Sequence, residues 1–364
     1  MFYVGGGILN GSHENTKQKK LSKGKIVLIS IICALVLLPI LLTPVTTVIV
    51  YEAIFAGRSD TPSYLQLSYR DYEGLSCTRS DFFATDGTAL AGFKYSRENT
   101  EPKGVVVISH GLGDGGHNKF IPYISELTKN GFLAFAYDAH GSDQSQGNSK
   151  EGLPQGILDL DSALNHVKEI SEYKGLPVAI LGHSWGAYSG GAVLASHPEV
   201  CGAVLVAGFN ESEDMLLYQS SRYIGPLANA LLFSVELYEE IKFGKEVCSL
   251  SCVESIGASS AKVLIVHSQD DSTVPTKYGY DKYKSLLGEN PNVSFLYFEK
   301  RGHTNLFFSE SALSYRNQIE GAYLESGQER NAYMEKHLDP TKYYEPSKEM
   351  LEKIISHFSL ACED

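Results

Sequence analysis

The sequence VAILGHSWGAYSGG (Val178–Gly191) places a serine between two glycines, at the end of an apolar run typical of a buried strand. The pattern Gly-x-Ser-x-Gly, with Ser184 at its centre, fits a sharp turn from strand to helix that exposes the serine hydroxyl. With 34 glycines in the chain, the same residues also fit an ordinary serine that caps a helix. The neighbouring segments decide between these two interpretations.

Apolar segments that resemble strands alternate with segments of helical periodicity on both sides of this stretch. Because buried parallel strands are apolar throughout, this order predicts a mostly parallel central sheet with helices on both faces. A hairpin signal at Asp86-Gly87 precedes the series, and EMLEKIISHF predicts a closing helix. The predicted strands, each with the residues that directly follow it, lie within the segments 104–111, 132–141, 177–186, 200–209, 261–271 and 293–303.

Two stretches interrupt the alternation. Residues 210–256 are helix-prone and apolar, which predicts a helical cap inserted after the strand at 200–209. Residues 305–343 form a tyrosine-rich insert that is too long for a plain loop. Both lie next to strand ends, where the sites of open α/β sheets form. The apolar residues of the first insert fit either a cover over an acyl-binding pocket or simple packing against the sheet.

A nucleophilic serine needs a base, and the base needs an acid that orients it. Asp270 and Asp271 follow the fifth predicted strand, and His303 follows the sixth. Alone, an aspartate here could belong to a turn and the histidine to the surface. Together, the order Ser, Asp, His at successive strand ends predicts the catalytic residues Ser184, Asp271 and His303.

A glycine-rich loop follows the first parallel strand. We expect the backbone N–H groups of Leu112 and Trp185 to form an oxyanion hole beside Ser184. The same loop also fits a dinucleotide-binding fingerprint, Gly-x-Gly-x-x-Gly from Gly111 to Gly116, with Asp138 at the end of the next strand. An oxidoreductase would explain this unit, but it gives no reason for the serine turn or for the aspartate and histidine loops.

Several histidines lie at separate strand ends, without the spacing of metal ligands. We therefore predict no metal site and no cofactor. A net charge of −12 also argues against nucleic acid as a partner, since nucleic-acid-binding proteins need a basic face. The oligomeric state is left open. The scattered histidines are His110, His117, His140 and His183.

Five short stretches together resemble the α/β-hydrolase family over roughly residues 78–360, and most of all its monoacylglycerol-lipase-like and serine-aminopeptidase-like branch. They are SHGLGDGGH, YDAHGSDQSQG, GHSWG, HSQDDSTVP and the Gly-His at 302–303. The resemblance implies an α/β-hydrolase fold. It selects Asp271 over Asp270, because the family's acid lies four residues before the proline. His140 and the long segment 305–343 depart from the family pattern.

The N-terminal region differs from the rest of the chain. Residues 1–25 end in a lysine-rich stretch, and residues 26–50 carry no charge. As a helix of about 37 Å, the uncharged run is long enough to span a membrane. It predicts a basic cytoplasmic tail (1–25), a single transmembrane anchor (26–50), a linker (51–75) and an exported hydrolase domain (76–364). A cleaved signal peptide and a buried core helix are the alternatives.

The sequence thus predicts a membrane-anchored serine hydrolase that cleaves acyl esters, of carboxylesterase or monoglyceride-lipase type. The alternative substrate is a peptide, cleaved by a serine aminopeptidase-type activity that needs an acid to hold the substrate amine. Glu211, Glu213 and Asp214 at the start of the cap are candidates for that acid. A non-catalytic binding protein is a remote third interpretation. Five of the six cysteines follow residue 50, so at least one of them has no partner within the exported part.

Overall fold

The computed structural model describes residues 22–98, 101–113 and 115–363, with the side chains of all of these except residues 34–41. The chain divides after Thr46 into two compact units. All contacts described below lie within the second unit.

The N-terminal helix α1 comprises Lys23–Phe55. Among the residues that could be searched, those whose placement is described, no helix combines the length and hydropathy needed to cross a membrane. The transmembrane helix predicted over 26–50 therefore has no support from the structure. The predicted tail over 1–25 lies almost entirely outside the described residues.

The first five residues of the linker predicted over 51–75 are helical and belong to α1. Tyr51 and Phe55 belong to the last turns of α1, and both are buried, with 3% and 2% of their surface exposed. The Tyr51 hydroxyl donates a hydrogen bond of 2.7 Å to Oε1 of Glu239, and Glu52 pairs with Lys242 at 2.7 Å. These contacts fix the end of α1 against the cap.

Eight strands form one sheet in the order β1-β4-β6-β5-β7-β8-β9-β10, and β2 and β3 form a separate hairpin. β4 pairs antiparallel with β1 and β6, whereas the other five pairs are parallel. The mostly parallel sheet is confirmed, and β1 is an addition to the prediction. The strands are β1 (Leu75–Arg79), β2 (Phe82–Phe83), β3 (Ala89–Leu90), β4 (Gly92–Arg97), β5 (Gly104–Ser109), β6 (Phe132–Tyr137), β7 (Val178–His183), β8 (Val200–Val206), β9 (Lys262–Ser268) and β10 (Val293–Phe298).

Helices cover both faces of the sheet. In β5, Val105 and Val107 pack into one core, under the helices at residues 155–169, 185–192, 252–258 and 280–287. Val106 and Ile108 pack into the other core, under the helices at residues 121–129 and 348–362. All four side chains are fully buried, which explains the uninterrupted apolar run. The remaining helices are α2 (Ile121–Lys129), α3 (Gln155–Glu169), α4 (Trp185–Ala192), α5 (Ser212–Ile224), α6 (Leu227–Phe243), α7 (Lys245–Cys248), α8 (Cys252–Ala258), α9 (Tyr280–Leu287), α10 (Glu310–Ser326), α11 (Arg330–His337), α12 (Pro340–Tyr343) and α13 (Lys348–Cys362).

Both predicted insertions are helical. The cap region 210–256 holds α5, α6, α7 and the first residues of α8. The insert 305–343 holds α10, α11 and α12 rather than a long loop. One of its tyrosines, Tyr333, joins Ile319 and Met334 in a small core of their own.

His140, a departure from the family pattern, lies in a buried charge pair. Its Nδ1 lies 2.6 Å from Oδ1 of Asp159, and its Nε2 lies 3.2 Å from Oδ2 of Asp86. Burial alone lowers the pKa of His140, but Asp159 and Asp86 raise it by more, so the pKa lies above its usual value. The histidine therefore links the loop after β6 to the helix at residues 155–169 and to the hairpin.

We expect His140→Gln to destabilise the fold by about 3–5 kcal/mol near pH 6, because one partner of a buried pair is removed, and by less near pH 9. The folded-state pKa is raised, so the stabilisation by His140 is complete below the unfolded pKa and disappears as pH rises through the folded pKa. Urea unfolding of both proteins, the variant and the unmodified one, at pH 6 and pH 9 measures the loss in the free energy of unfolding.

His357→Gln is the matched control. Burial lowers the pKa of His357, so its contribution to stability grows as pH rises. An equal loss for His140→Gln at both pH values would contradict the proposed charge pair.

Candidate active site

Ser184 lies in the turn between β7 and α4. Its backbone has φ 54° and ψ −113°, a conformation that residues other than glycine seldom adopt. A Cβ atom on Gly182 would lie 2.4 Å from the carbonyl oxygen of Gly186, and one on Gly186 would lie 2.0 Å from that of Ser109. Both glycines are therefore required for the close approach of α4 to the strands.

Ser184, His303 and Asp271 form a chain of hydrogen bonds. Oγ of Ser184 lies 2.8 Å from Nε2 of His303, and Nδ1 of His303 lies 2.7 Å from Oδ2 of Asp271. The side chain of His303 is 14% exposed and that of Asp271 is fully buried. The structure thus brings together three side chains that the sequence places at separate strand ends.

Asp271 accepts more than the bond from His303. Its Oδ1 accepts backbone N–H bonds of 2.9 Å from Thr273 and 2.8 Å from Val274, and His267 Nε2 lies 3.3 Å from Oδ2. Burial raises the pKa of Asp271, but the bonds from His267 and His303 lower it by more. A carboxylate that is ionised at neutral pH keeps the proton of His303 on Nδ1 and leaves Nε2 as an acceptor facing Ser184.

Asp270 has a role that sequence reasoning missed. Its Oδ1 accepts backbone N–H bonds of 3.1 Å from Arg301 and 2.7 Å from Gly302, and a bond of 2.6 Å from the hydroxyl of Ser268. The carboxylate ties the loop after β9 to the loop that carries His303. The only sequence signal was its position beside Asp271.

A cavity of about 470 Å³ opens at Ser184, and we call it the Ser184 cavity. Leu112 and Trp185, the residues predicted to form the oxyanion hole, both line it. None of its described lining residues is Asp, Glu, Lys or Arg. Its larger apolar lining residues are Ile54, Phe55, Leu112, Leu153, Trp185, Phe209, Met215, Leu216 and Val274.

The three acids proposed for a substrate amine lie elsewhere. Glu211 and Asp214 pair with the ammonium group of Lys282, at 3.5 and 3.2 Å. Burial and the neighbouring carboxylate of Glu236 raise the pKa of Glu213. None of the three lines the Ser184 cavity.

The glycine-rich loop after β5 does not fit a dinucleotide site. The carboxylate of Asp138, which would have to bind a ribose, accepts bonds of 2.7 Å from Nδ1 of His117 and 3.1 Å from the N–H of Gln144. The N–H of Gly116 donates to Asp143 at 2.8 Å. Both groups are thus engaged within the protein. Across the described residues, no three His, Cys, Asp or Glu side chains cluster as metal ligands.

Comparison with protein families and curated proteins links these elements to hydrolases. A family model described as serine aminopeptidase, S33, matches residues 100–245. The acylamino-acid-releasing enzyme of Rattus norvegicus is 24% identical over 231 residues, which are 59% of this chain and 30% of that protein. A monoglyceride lipase homolog of Monkeypox virus is 37% identical over 99 residues, 26% of this chain and 34% of that protein. The chain thus spans about a third of the length of these relatives.

Solved structures show the same fold. An esterase of Pyrococcus furiosus has a TM-score of 0.53 at 16% identity, covering 74% of this chain and 97% of that one. An acetyl xylan esterase of Paenibacillus sp. R4 has a TM-score of 0.50 at 15% identity, covering 70% and 84%. Together with the sequence matches, these likenesses show an α/β-hydrolase fold and support the α/β-hydrolase family for this chain.

We expect Asp270→Ala to loosen the loop that carries His303, because the N–H groups of Arg301 and Gly302 lose their shared acceptor. Amide hydrogen exchange in a peptide spanning this loop should accelerate roughly three- to tenfold. Asp270→Asn retains an acceptor oxygen, so its change should be smaller.

Asp281→Ala is the matched control for this measurement. That exposed aspartate accepts a bond of 2.7 Å from the hydroxyl of Thr276, away from the His303 loop. Unchanged exchange in Asp270→Ala would show that Asp270 does not hold the loop.

Proposed function

We propose that this protein is a serine hydrolase that cleaves acyl esters through Ser184, His303 and Asp271. The observation that carries the proposal is the pair of hydrogen bonds that joins the three side chains, 2.8 and 2.7 Å long, at the mouth of an apolar cavity. The hydrolases among the relatives support the same reaction class.

In the proposed mechanism, Nε2 of His303 takes the proton of the Ser184 hydroxyl while Oγ attacks the acyl carbonyl carbon. The N–H groups of Leu112 and Trp185 stabilise the oxyanion, and Asp271 stabilises the imidazolium. His303 then protonates the leaving alcohol. Water, activated by the same histidine, attacks the acyl-enzyme and releases the carboxylic acid without a cofactor.

The lining of the Ser184 cavity favours acyl esters over the aminopeptidase alternative. A free amine at the substrate terminus needs a nearby carboxylate, and no described Asp or Glu lines this cavity. An acyl chain instead gains from contact with Met215, Leu216 and Phe55. The preferred substrates are therefore carboxylic esters or monoglycerides.

We expect Ser184→Ala to abolish labelling by a fluorophosphonate probe and to reduce ester hydrolysis by at least about a thousandfold, because the attacking oxygen is removed. Gel fluorescence after labelling and initial rates on an acyl ester measure both effects. Ser196→Ala, at an exposed serine of the same segment, is the control and should behave as the unmodified protein. Full labelling of Ser184→Ala would rule out Ser184 as the nucleophile.

A matched set of substrates tests the acyl class. We expect acyl esters and monoglycerides to be hydrolysed with a kcat/KM at least tenfold above that of aminoacyl amides, because no described acid is placed to bind the amine. N-acylated amino-acid amides belong in the same panel, since some relatives are acylamino-acid-releasing enzymes. Hydrolysis of aminoacyl amides alone would contradict the ester assignment.

We further propose that residues 26–50 anchor the protein in a membrane, with the N-terminus cytoplasmic and the hydrolase domain outside the cytoplasm. The support lies in the sequence: 25 uncharged residues preceded by five lysines and followed by Glu52. A hydrolase that is exported, held at a membrane and acts on apolar substrates would lie close to lipid esters.

Protease treatment of intact cells tests this orientation. We expect an added protease to degrade the hydrolase domain, because the domain lies outside the membrane, and the N-terminal tail to be digested only after permeabilisation. A protected hydrolase domain would contradict the orientation. A mature chain that begins after residue 50 would identify residues 26–50 as a cleaved signal instead.

A further inference from the structure

Two cysteines that are far apart in the sequence meet in the structure. Cys201 lies near the start of β8, and Cys362 is the last residue of α13. Their Sγ atoms are 3.0 Å apart across 161 residues of chain. No other pair of cysteine sulfurs in the described part of the chain is in contact. Because a disulfide bond is about 2.0 Å long, the two atoms need to approach by only about 1 Å.

Small residues bring the end of α13 onto the sheet. A Cβ on Gly202 would lie 2.6 Å from Cβ of Ala361, and a Cβ on Gly104 would lie 3.3 Å from Sγ of Cys362. Larger side chains at these glycines would push the helix outward. The contact between the sulfurs therefore follows from the close packing of α13 against β5 and β8.

Hydrogen bonds hold the same end of the helix. Nζ of Lys262, the first residue of β9, donates to the carbonyl oxygen of Leu360 at 3.1 Å. Nε2 of His357 donates to the carbonyl oxygen of Lys262 at 2.9 Å. Phe358, one turn before Cys362, is fully buried. Both cysteines thus lie on regular, well-packed elements rather than on loops.

Cys201 differs in chemistry from its partner and from the other buried thiols, because its pKa is lowered, whereas the interaction with Cys201 and burial raise the pKa of Cys362. The Cys362 thiol lowers the pKa of Cys201 by donating a hydrogen bond to its thiolate, and the Lys262 ammonium group adds to the effect. Burial raises the pKa of Cys248 and Cys252 to about 12. Since the thiolate is the reacting form, Cys201 is the better nucleophile.

We propose that Cys201 and Cys362 form a disulfide bond that ties the C-terminal helix α13 to β8. In the reaction, the Cys201 thiolate attacks a disulfide oxidant such as glutathione disulfide and releases one thiol. The Cys362 thiolate then attacks Sγ of Cys201 and releases the second. The cysteines lose two protons and two electrons, and the oxidant is reduced to two thiols.

This bond does not depend on the catalytic role of Ser184. Only the supply of oxidant in the cell depends on the proposed location, because disulfides persist outside the cytoplasm and seldom within it. The bond would close a loop that contains Asp271 and His303, and thereby restrain the unfolded chain. It would act as a stabilising crosslink of the hydrolase domain.

The test uses the purified full chain. It is incubated with glutathione disulfide, alkylated with N-ethylmaleimide, digested without reduction and analysed by mass spectrometry. We expect the peptides that contain Cys201 and Cys362 to be found as one linked pair. Dithiothreitol should remove the link and lower the melting temperature by roughly 5 °C or more.

Two variants make the test specific. Cys362→Ser should lack the link and show no dithiothreitol-dependent shift in melting temperature, whereas the control Cys77→Ser should retain both. Alkylation of both Cys201 and Cys362 after oxidation, or a link from either to another cysteine, would overturn the proposal. In protein alkylated at cell lysis, the link supports the exported location. If both cysteines are free in protein alkylated at lysis but become linked in purified protein after oxidation, the exported location is contradicted and the disulfide assignment stands.

Discussion

The strained backbone at Ser184 is the constraint on which the site depends. A positive φ at a residue with a side chain costs roughly 1–3 kcal/mol, and it persists only where the surroundings hold it. Here the Ser184 N–H donates to the carbonyl oxygen of Val206 at 2.8 Å, and the flanking Gly182 and Gly186 let α4 begin directly against the strands. The hydroxyl is thereby fixed at the carboxyl edge of the central strands. The loops after β9 and β10 end at that same edge, so Asp271 and His303 reach Ser184 without any long connection.

Much of this arrangement could be predicted from the sequence. Strands such as β5, which is buried on both faces, are uninterrupted apolar runs, and their number and spacing predict a parallel sheet. In such a sheet the carboxyl ends of the strands meet at one edge, so side chains that follow β7, β9 and β10 are neighbours whatever the details of packing. The fold and the meeting of Ser184, Asp271 and His303 follow from this rule. Their catalytic role remains a proposal.

Other features depend on contacts that no local pattern reports. Tyr51 meets Glu239 across 188 residues, and Cys201 meets Cys362 across 161. β1 alternates weakly and buries only its first residue, so it carries little strand signal. In the sequence, Asp270 fits an ordinary turn residue. Its role is visible only in the bonds that its carboxylate accepts from the N–H groups of Arg301 and Gly302. Sequence periodicity indicates secondary-structure elements and their buried faces, whereas these long-range contacts depend on how the complete fold packs.

The end of α1 belongs to the same compact unit as the Ser184 cavity. Ile54 and Phe55 form part of the wall of the Ser184 cavity, although both precede the hydrolase domain predicted from residue 76. A protein that began at residue 76 would keep Ser184, His303 and Asp271, but its cavity would be open to solvent where Ile54 and Phe55 are missing. It would also leave the carboxylate of Glu239 without the hydroxyl of Tyr51. The compact unit begins at Thr47, so the wall of the Ser184 cavity is shared between the α/β core and the end of the helix that precedes it.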